Sequence, residues 1–441
     1  MSSAPGRRVV VVAVDPLPLP GLATSGAGLR AWQLGQGLLA RGHDVTFLSP
    51  ERVLRAGASP LPERVRAYEE HRFRERVHEL QPEVVVFQHW AMVEHLEQSE
   101  LPIALDLHGP VLLEIASHDR QRAQALIDQK VRAFRRADFL SCAGKRQRAY
   151  FYAWMLLAGY DMRTSAIAVM PVALAPTPPE HHPPEEPVFV YGGVFLPWQD
   201  PSVGLTTLVE TLERRGRGRL KLFAGPHAFH DLPVEHFTAL VERLRASPRV
   251  EHPGLVPHAE LLEAYRSATV AFDLMAPNPE RELAFTTRTV EYLWCGLPVI
   301  YNDYAELAEY IGSYNAGWIV DPCDREAIRR TIEEVLDAPE AVAERSQNAR
   351  RLIRERLNWE VAIEPLDRFC RDPRRRSPGT VVAWQTDAAE WAEQLRACAE
   401  QLAYLTSEIE RKNRHIAELE QLIARIENGR VMRVLRRFAR R

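Results

Sequence analysis

Arg8 to Val14 is an almost unbroken β-branched run. A Pro- and Gly-rich loop follows from Asp15 to Gly28, then a helical stretch from about Leu29 to Ala40 and a second apolar run from Val45 to Leu48. That order of strand, loop, helix and strand is a β-loop-α-β unit of dinucleotide-binding style, whose loop and helix N-terminus lie beyond the carboxyl end of the first strand. Further strands are expected at Val84 to Gln88, Ile103 to Leu107 and Phe139 to Ser141, with helices at Glu69 to Leu80 and Asp119 to Arg136. Seven prolines then crowd into the seventeen residues from Pro171 to Pro187, which reads as a stiff linker. Beyond it the alternation begins again. Strands are expected at Val188 to Tyr191, Leu220 to Ala224, Val250 to His252, Val270 to Asp273, Val299 to Tyr301 and Trp318 to Val320, with helices at Glu260 to Ser267 and Thr289 to Trp294. The expected class is α/β, with one Rossmann-like domain over 1–175, the linker over 176–187 and a second Rossmann-like domain over 188–356, the two facing a cleft. Residues 357–375 form a return segment, whose helix Trp359 to Arg371 is expected to pack back on the first domain.

After the Arg/Pro/Gly-rich stretch from Arg371 to Gly379 the pattern changes to a heptad. Ala388, Leu395, Leu402, Ile409, Ile416 and Ile423 fall at a, and Trp391, Cys398, Leu405, Lys412, Leu419 and Ile426 at d. An apolar seam of this kind, free of Pro and Gly from Ala388 to Asn428, is what a coiled coil requires, and the expectation is a helical coiled-coil extension over 383–428 that forms a homodimer. A single long helix folded back on the catalytic body would show a similar stripe. Residues 429–441 end the chain with six arginines and no acid, interleaved with Val431, Met432, Val434, Leu435 and Phe438, a basic amphipathic tail suited to contact with an anionic membrane surface.

Set those six arginines aside and the net −3 of the 441 residues leaves −9 on the rest, an acidic body that argues against general nucleic-acid binding. The apolar run near the N-terminus is broken by Asp15, far short of a membrane span or secretory segment. The five cysteines are scattered, without a CxxC pair or metal-type spacing, so a reducing, cytoplasmic setting and no metal are expected. With an engaged tail, that setting becomes the inner face of the cell membrane.

Four segments carry candidate chemistry. Gly26, Gly28 and Arg30 lie in the loop before the first helix, where small residues let a ligand reach backbone amides, although no GxGxxG or GxxxxGK pattern occurs. His108 follows the strand Ile103 to Leu107 at its carboxyl end, where open sheets build sites, and His89 holds a similar place. Gly192 and Gly193, followed by Gln199, echo the first glycine loop in the second domain, and Gly225-Pro226-His227 ends the next strand. In Phe285-Thr286-Thr287-Arg288-Thr289-Val290-Glu291, the threonines sit where a helix starts, so amides, hydroxyls and a guanidinium can surround a diphosphate while Glu291 accepts from ribose hydroxyls. Each segment also has a plainer structural use, as a tight turn, a loop histidine, or a surface Arg288 to Glu291 pair with a capping Thr.

Glu291-Tyr-Leu-Trp-Cys-Gly-Leu-Pro-Val-Ile, supported by Gly26 to Arg30, His108 and Gly254-Leu-Val-Pro-His258, resembles the two-domain GT-B glycosyltransferases, especially the retaining group called family 4. The resemblance spans about residues 7 to 375. It implies that Gly28 lies near the donor phosphates, His108 contacts the transferred sugar, Thr287 and Arg288 hold the diphosphate, Glu291 holds the ribose, and Leu255 to Val256 line the base. Two places depart from the family pattern. Leu283 stands where the first of two paired glutamates is usual, so that either a shifted loop supplies a carboxylate, Glu282 being one position out and Glu280 three, or backbone groups take the role, and Trp198-Gln199-Asp200 replaces the usual basic residues after the glycine loop.

The resemblance further implies transfer of a hexosyl or deoxyhexosyl unit from a nucleoside diphosphate sugar to a hydroxyl of a cell-surface glycan or lipid-linked saccharide, with retention, no metal and no cofactor. In such enzymes the departing phosphate receives the acceptor proton. A sugar-nucleotide-binding scaffold without turnover and a nucleotide-sugar epimerase fit the same residues.

Overall fold

The structure is a computed structural model that describes residues 5–22, 24–54, 61–226, 232–233, 236–376 and 388–427. Its first valine run is β1 (Arg8–Val12), and alternate side chains feed opposite layers. Val9 and Val11 join a core with Leu34 and Phe47, while Val10 and Val12 join one with Phe87 and Phe134. Parallel strands buried on both faces read as continuous apolar runs, which is why this segment is so legible.

Six more strands complete the first sheet: β2 (Asp44–Pro50), β3 (Val65–Tyr68), β4 (Val84–Phe87), β5 (Ile103–Leu107), β6 (Phe139–Cys142) and β7 (Ala168–Val169), in the order 3-2-1-4-5-6-7 and all parallel. The second sheet holds β8 (Val188–Val194), β9 (Arg219–Gly225), β10 (Val250–Glu251), β11 (Val270–Asp273), β12 (Val299–Asn302) and β13 (Gly317–Val320), in the order 10-9-8-11-12-13. In both, strand order reverses beside the first strand of the domain. Such a switch point opens a crevice at the carboxyl ends of the strands.

Three details differ from the sequence reading. β3 and β7 were not anticipated; they are short edge strands, and Arg66 in β3 and the two-residue length of β7 leave little periodicity to see. The stretch Asp119 to Arg136 is two helices, Arg120–Ala125 and Ile127–Arg136. The return segment is likewise Trp359–Ala362 followed by Glu364–Arg371, with Pro365, which has no N–H to give, in the first turn of the second helix.

The two domains are joined by more than the linker. Leu174 and Asn358 form a parallel bridge, so the outgoing and returning chains run side by side. Ile363, Leu366 and Cys370 of the return segment are buried in the core of the first domain, where Ile363 meets Gly37, and His43 Nε2 lies 2.8 Å from Asp367 Oδ1. A second tie is made by Glu306. Its carboxylate accepts from the amides of Lys145 (2.9 Å) and Arg146 (2.8 Å), the first turn of the helix Lys145–Leu157 in the other domain. The helix has no side-chain cap of its own, and a Cβ on Gly144 would lie 2.5 Å from Glu306 Oε2, so the carboxylate from the second domain satisfies amides that the first leaves open.

The helix Ala388–Glu427, forty residues long, belongs to a separate unit. Its Leu395, Leu402, Leu405, Ile409, Ile416, Leu419 and Ile423 are all exposed. The basic tail at 429–441 lies outside the described residues, as does His227. No helix among the described residues is long and apolar enough to cross a membrane.

Replacing Glu306 by Ala strips two amides of their acceptor and removes a charge from a helix N-terminus. The expected loss is about 2 kcal/mol of unfolding free energy, measured by urea denaturation; an unchanged midpoint would show that solvent replaces the carboxylate without cost.

Candidate active site

A cleft of about 1210 Å³ lies between the two domains and takes in residues at or just beyond the carboxyl ends of β1, β4, β5 and β8. On the second domain its wall begins at the helix Thr287–Trp294. Thr286 occupies the N-cap, but its hydroxyl bonds the Tyr301 hydroxyl at 2.9 Å and caps none of the helix amides. Amides left open at a helix N-terminus, beside a cationic side chain, form a ready anion site.

That cation is Arg288, and its surroundings fix it. One nitrogen donates to the Gly192 carbonyl at 3.2 Å, another to Gln199 Oε1 at 3.1 Å, and the guanidinium lies 3.3 Å from Asp273 Oδ1 and 5.2 Å above the Tyr191 ring. Burial opposes the charge, but the Asp273 carboxylate together with the surrounding tyrosines Tyr191, Tyr292 and Tyr265 outweighs it, so Arg288 is held protonated above its ordinary range. A Cβ on Gly193, whose φ is +139°, would lie 2.4 Å from Arg288 Nη1. Only glycine leaves room for the guanidinium there and takes that backbone without strain.

Glu291, one turn further along, lines the cleft and lies 2.6 Å from His258 Nε2. Burial disfavours the imidazolium, and the Glu291 carboxylate more than offsets this, raising the His258 pKa. Val256 lines the cleft nearby.

Across the cleft stands His108, whose Nε2 is 3.3 Å from the Thr287 hydroxyl. Gly26 lies at the same junction, where an added Cβ would be 3.3 Å from Thr287 Oγ1. Burial and then the neighbouring Arg30 push the His108 pKa down to about 4, so at neutral pH it is an uncharged hydrogen-bonding group, and its Nδ1 is buried without a partner among the described residues. His89 also lines the cleft and stacks on Trp90.

The structure thus brings together Gly26, His108, Gly192, Gly193, Gln199, Val256, Thr286, Thr287, Arg288 and Glu291. Five expected residues are placed elsewhere. Arg30 is buried, donating to both Asp106 oxygens at 2.9 Å and to the carbonyls of Met170 and Pro171, so it braces the first domain from within. Gly28 packs against the Pro16 carbonyl, and Gly225 against Leu255. The Thr289 hydroxyl is fully buried and donates to Asp273. Glu282 is exposed, whereas Glu280 faces the cleft in a buried pair with Arg281.

Several cleft residues gave no signal that sequence reasoning used. Asp273, at the end of β11, anchors both Arg288 and Thr289. Gln88 directly follows β4, and Glu114 sits on the short helix Val111–Ala116 after His108. Trp198 stacks on His118 from the opposite domain, with ring centroids 6.0 Å apart. Among the described residues no group of three His, Cys, Asp or Glu is arranged to hold a metal ion.

Residues 178–352 match the family model for glycosyl transferases group 1, a span that includes Gly192, Arg288 and Glu291. Over this span the second domain is similar to the group 1 glycosyl transferases. A curated relative, D-inositol 3-phosphate glycosyltransferase 2 of Catenulispora acidiphila, is 26% identical over 171 residues, 38% of this chain and 39% of the relative. The chain therefore matches only about two fifths of that relative's length. Among solved structures, the chain superposes on sucrose-phosphate synthase from Thermosynechococcus elongatus with a TM-score of 0.64 at 19% identity, covering 83% of this chain and 98% of that one. It also superposes on an α,α-trehalose-phosphate synthase (UDP-forming) from Burkholderia xenovorans, with a TM-score of 0.56 at 14% identity, covering 83% and 100%. These likenesses extend the glycosyl transferase domain to a complete GT-B fold with two Rossmann-like halves.

Because the folded pKa of His108 lies below the ordinary 6.5, protonation favours the unfolded chain. Stability from this group is present above about pH 6.5 and is lost as pH falls toward about 4. An NMR titration of the His108 ring is expected to find it neutral at pH 5.5, and His108→Gln to flatten that limb of the stability curve; a ring titrating near 6.5 would refute the burial argument.

Proposed function

We propose that the chain transfers a hexosyl or deoxyhexosyl unit from a nucleoside diphosphate sugar to a hydroxyl of a glycan or lipid-linked saccharide, with retention at the anomeric carbon. The observation that carries this reading is the uncapped helix N-terminus at Thr287 with Arg288 held beside it by Asp273, Gln199 and the Gly192 carbonyl. A diphosphate placed there meets open amides and a guanidinium whose position is already fixed. As the bond from the anomeric carbon to the diphosphate oxygen breaks, charge grows on the departing phosphate, and groups held in place beforehand stabilise it at little reorganisation cost. The acceptor oxygen bonds to the same face of the sugar, and its proton passes to the leaving phosphate. Charge stabilisation then rests on Arg288 and the amides, with no metal in the scheme.

Glu291 is the ribose partner in this reading, with His258 orienting its carboxylate, and Val256 lies against the base. His108, neutral and with no partner for its Nδ1 among the described residues, suits a hydrogen bond to the transferred sugar. Gln199 takes the place of a phosphate-binding cation by positioning one. The UDP-forming label on a structural neighbour makes uridine nucleotides the first donors to try.

The helix Ala388–Glu427 supports self-association through its exposed heptad side chains, and the basic tail supports contact with anionic lipid, which would bring the enzyme to a lipid-linked acceptor.

A thermal-shift and mass-spectrometric screen of nucleotide sugars is expected to give one donor that stabilises the protein and is turned over, with Arg288→Ala lowering turnover at least about 100-fold while the fold persists. Binding without turnover across a broad acceptor set would point to a scaffold, and interconversion of the free donor to an epimerase. For the helix, removal of residues 383–441 should leave a monomer. Cys398 at a d position should cross-link two copies on mild oxidation of a Cys323→Ser protein, and a monomeric full-length mass in solution would sink the dimer.

A further inference from the structure

The helix Lys145–Leu157 of the first domain has an outward face that its own domain does not use. Inward it buries Gln147, Phe151 and Met155, and the last two pack with Phe134 in the core. At about 100° per residue, Lys145, Arg148, Ala149, Tyr152, Ala153 and Leu156 share one stripe turned away from that core. Tyr152 is 38% exposed and Leu156 65%, and the two alanines between and beside them are exposed as well. A surface helix ordinarily turns charged or polar side chains to water. Here no charged residue occurs from Ala149 to Tyr160. Nowhere else among the described residues of the two Rossmann-like domains do two large apolar side chains stand exposed one turn apart on a helix.

The polar end of the same stripe is basic. The helix begins Lys-Arg-Gln-Arg and holds no acid. Cations in the first turn work against the helix dipole, so they cost the helix stability where they stand. Arg146 has a task of its own, donating to the Tyr304 carbonyl of the second domain. The side chains of Lys145 and Arg148 make no hydrogen bond or ion pair among the described residues. Nearby acids are already engaged. Glu306 accepts from the amides of Lys145 and Arg146, Glu309 faces the Arg146 guanidinium, and Asp161 is paired with Arg163.

We propose that this stripe lies against an anionic lipid surface, with Tyr152 and Leu156 set into the interface and Lys145 and Arg148 at the phosphate head groups. Tyrosine and leucine beside cations, with no acid, is the composition of a helix that lies in the plane of an interface. Lysine and arginine reach head groups with their charged ends while their methylenes stay on apolar surface. Met162, 37% exposed, adds a further apolar side chain just past the helix. A second protein fits this face less well. A stable protein interface takes about 800 Å² from each partner, more than two large side chains and two alanines supply, whereas lipid contact is built from a few inserted side chains and charge. The contact belongs to the first domain and is separate from the basic tail. Gln147, between the two cations in sequence, lines the cleft, so head groups held there lie close to the cleft, where a lipid-linked acceptor could enter without leaving its bilayer. That last consequence rests on the glycosyl-transfer reading; the contact itself does not.

The test uses the full chain without donor or acceptor, sedimented with vesicles of phosphatidylcholine alone or mixed with phosphatidylglycerol. Binding is expected with the mixed vesicles and should weaken as salt rises. Tyr152→Ser with Leu156→Ser should weaken it at least about tenfold. Lys145→Gln with Arg148→Gln should weaken it about fivefold for each charge removed, the tail arginines being intact in both variants. Neither variant should lower the urea midpoint, because the apolar pair is exposed and the cations oppose the helix dipole; lost contact is thereby separated from lost fold. In a Cys323→Ser, Cys398→Ser protein, an environment-sensitive dye on Leu156→Cys should shift to the blue when mixed vesicles are added. Vesicle binding unchanged in either variant, or a dye that does not shift, overturns the proposal and leaves the tail as the lipid contact. A dye shift that follows protein concentration without vesicles identifies a second copy of the chain on this face and likewise overturns it. No donor is present, so glycosyl transfer stands or falls separately.

Discussion

Beneath the cleft, Arg30 and Asp106 form a pair with almost no exposure to solvent, and much of the first domain is organised around it. Arg30 comes from the first helix and Asp106 from β5. Two further guanidinium hydrogens go to the carbonyls of Met170 and Pro171 at the start of the linker, and Ser141 of β6 donates to the same carboxylate. One ion pair therefore joins a helix, two strands and the exit from the domain. Charges taken out of water are tolerated only when their hydrogen-bonding capacity is met, and here it is. Two residues after Asp106 comes His108, so the pair fixes the height at which the histidine enters the cleft. Burial, and then this guanidinium, keep that histidine neutral.

The second domain uses the same device for the opposite purpose. Asp273, buried at the end of β11, takes the Thr289 hydroxyl and faces Arg288, so one carboxylate sets both the start of the helix and the direction of its cation. In the first domain the arginine is used up internally. In the second it is left presentable to a ligand. The result is a cleft whose second-domain wall carries a cation already fixed in place.

Much of this was legible in the sequence where burial is simple. Valine runs buried on both faces betray their strands, and Gly26, Gly192, Gly193, Arg288 and Glu291, singled out from the sequence, all line the cleft. What escaped notice depends on rotation or on distant partners. Glu280 and Glu282 are two positions apart on one helix, hence about 200° around its axis, and no count along the chain tells which faces inward. Arg30 lies one turn beyond Gly26, yet its partner is seventy-six residues away. Thr289 looked like a ligand-binding hydroxyl until Asp273, sixteen residues upstream, claimed it. Glu114 and Gln88 belong to no motif, and only the folding of β4 and β5 side by side brings them to one wall.

The cap that Glu306 places on the helix Lys145–Leu157 has a mechanical side. Two amides and a carboxylate bind only over a narrow range of distance and direction, so a hinge motion that separated them would expose three polar groups at once. A relative motion that turned about this contact would keep the three groups satisfied, whereas one that separated them would not. Glu306, which does not line the cleft, would then bound how far its two walls can part.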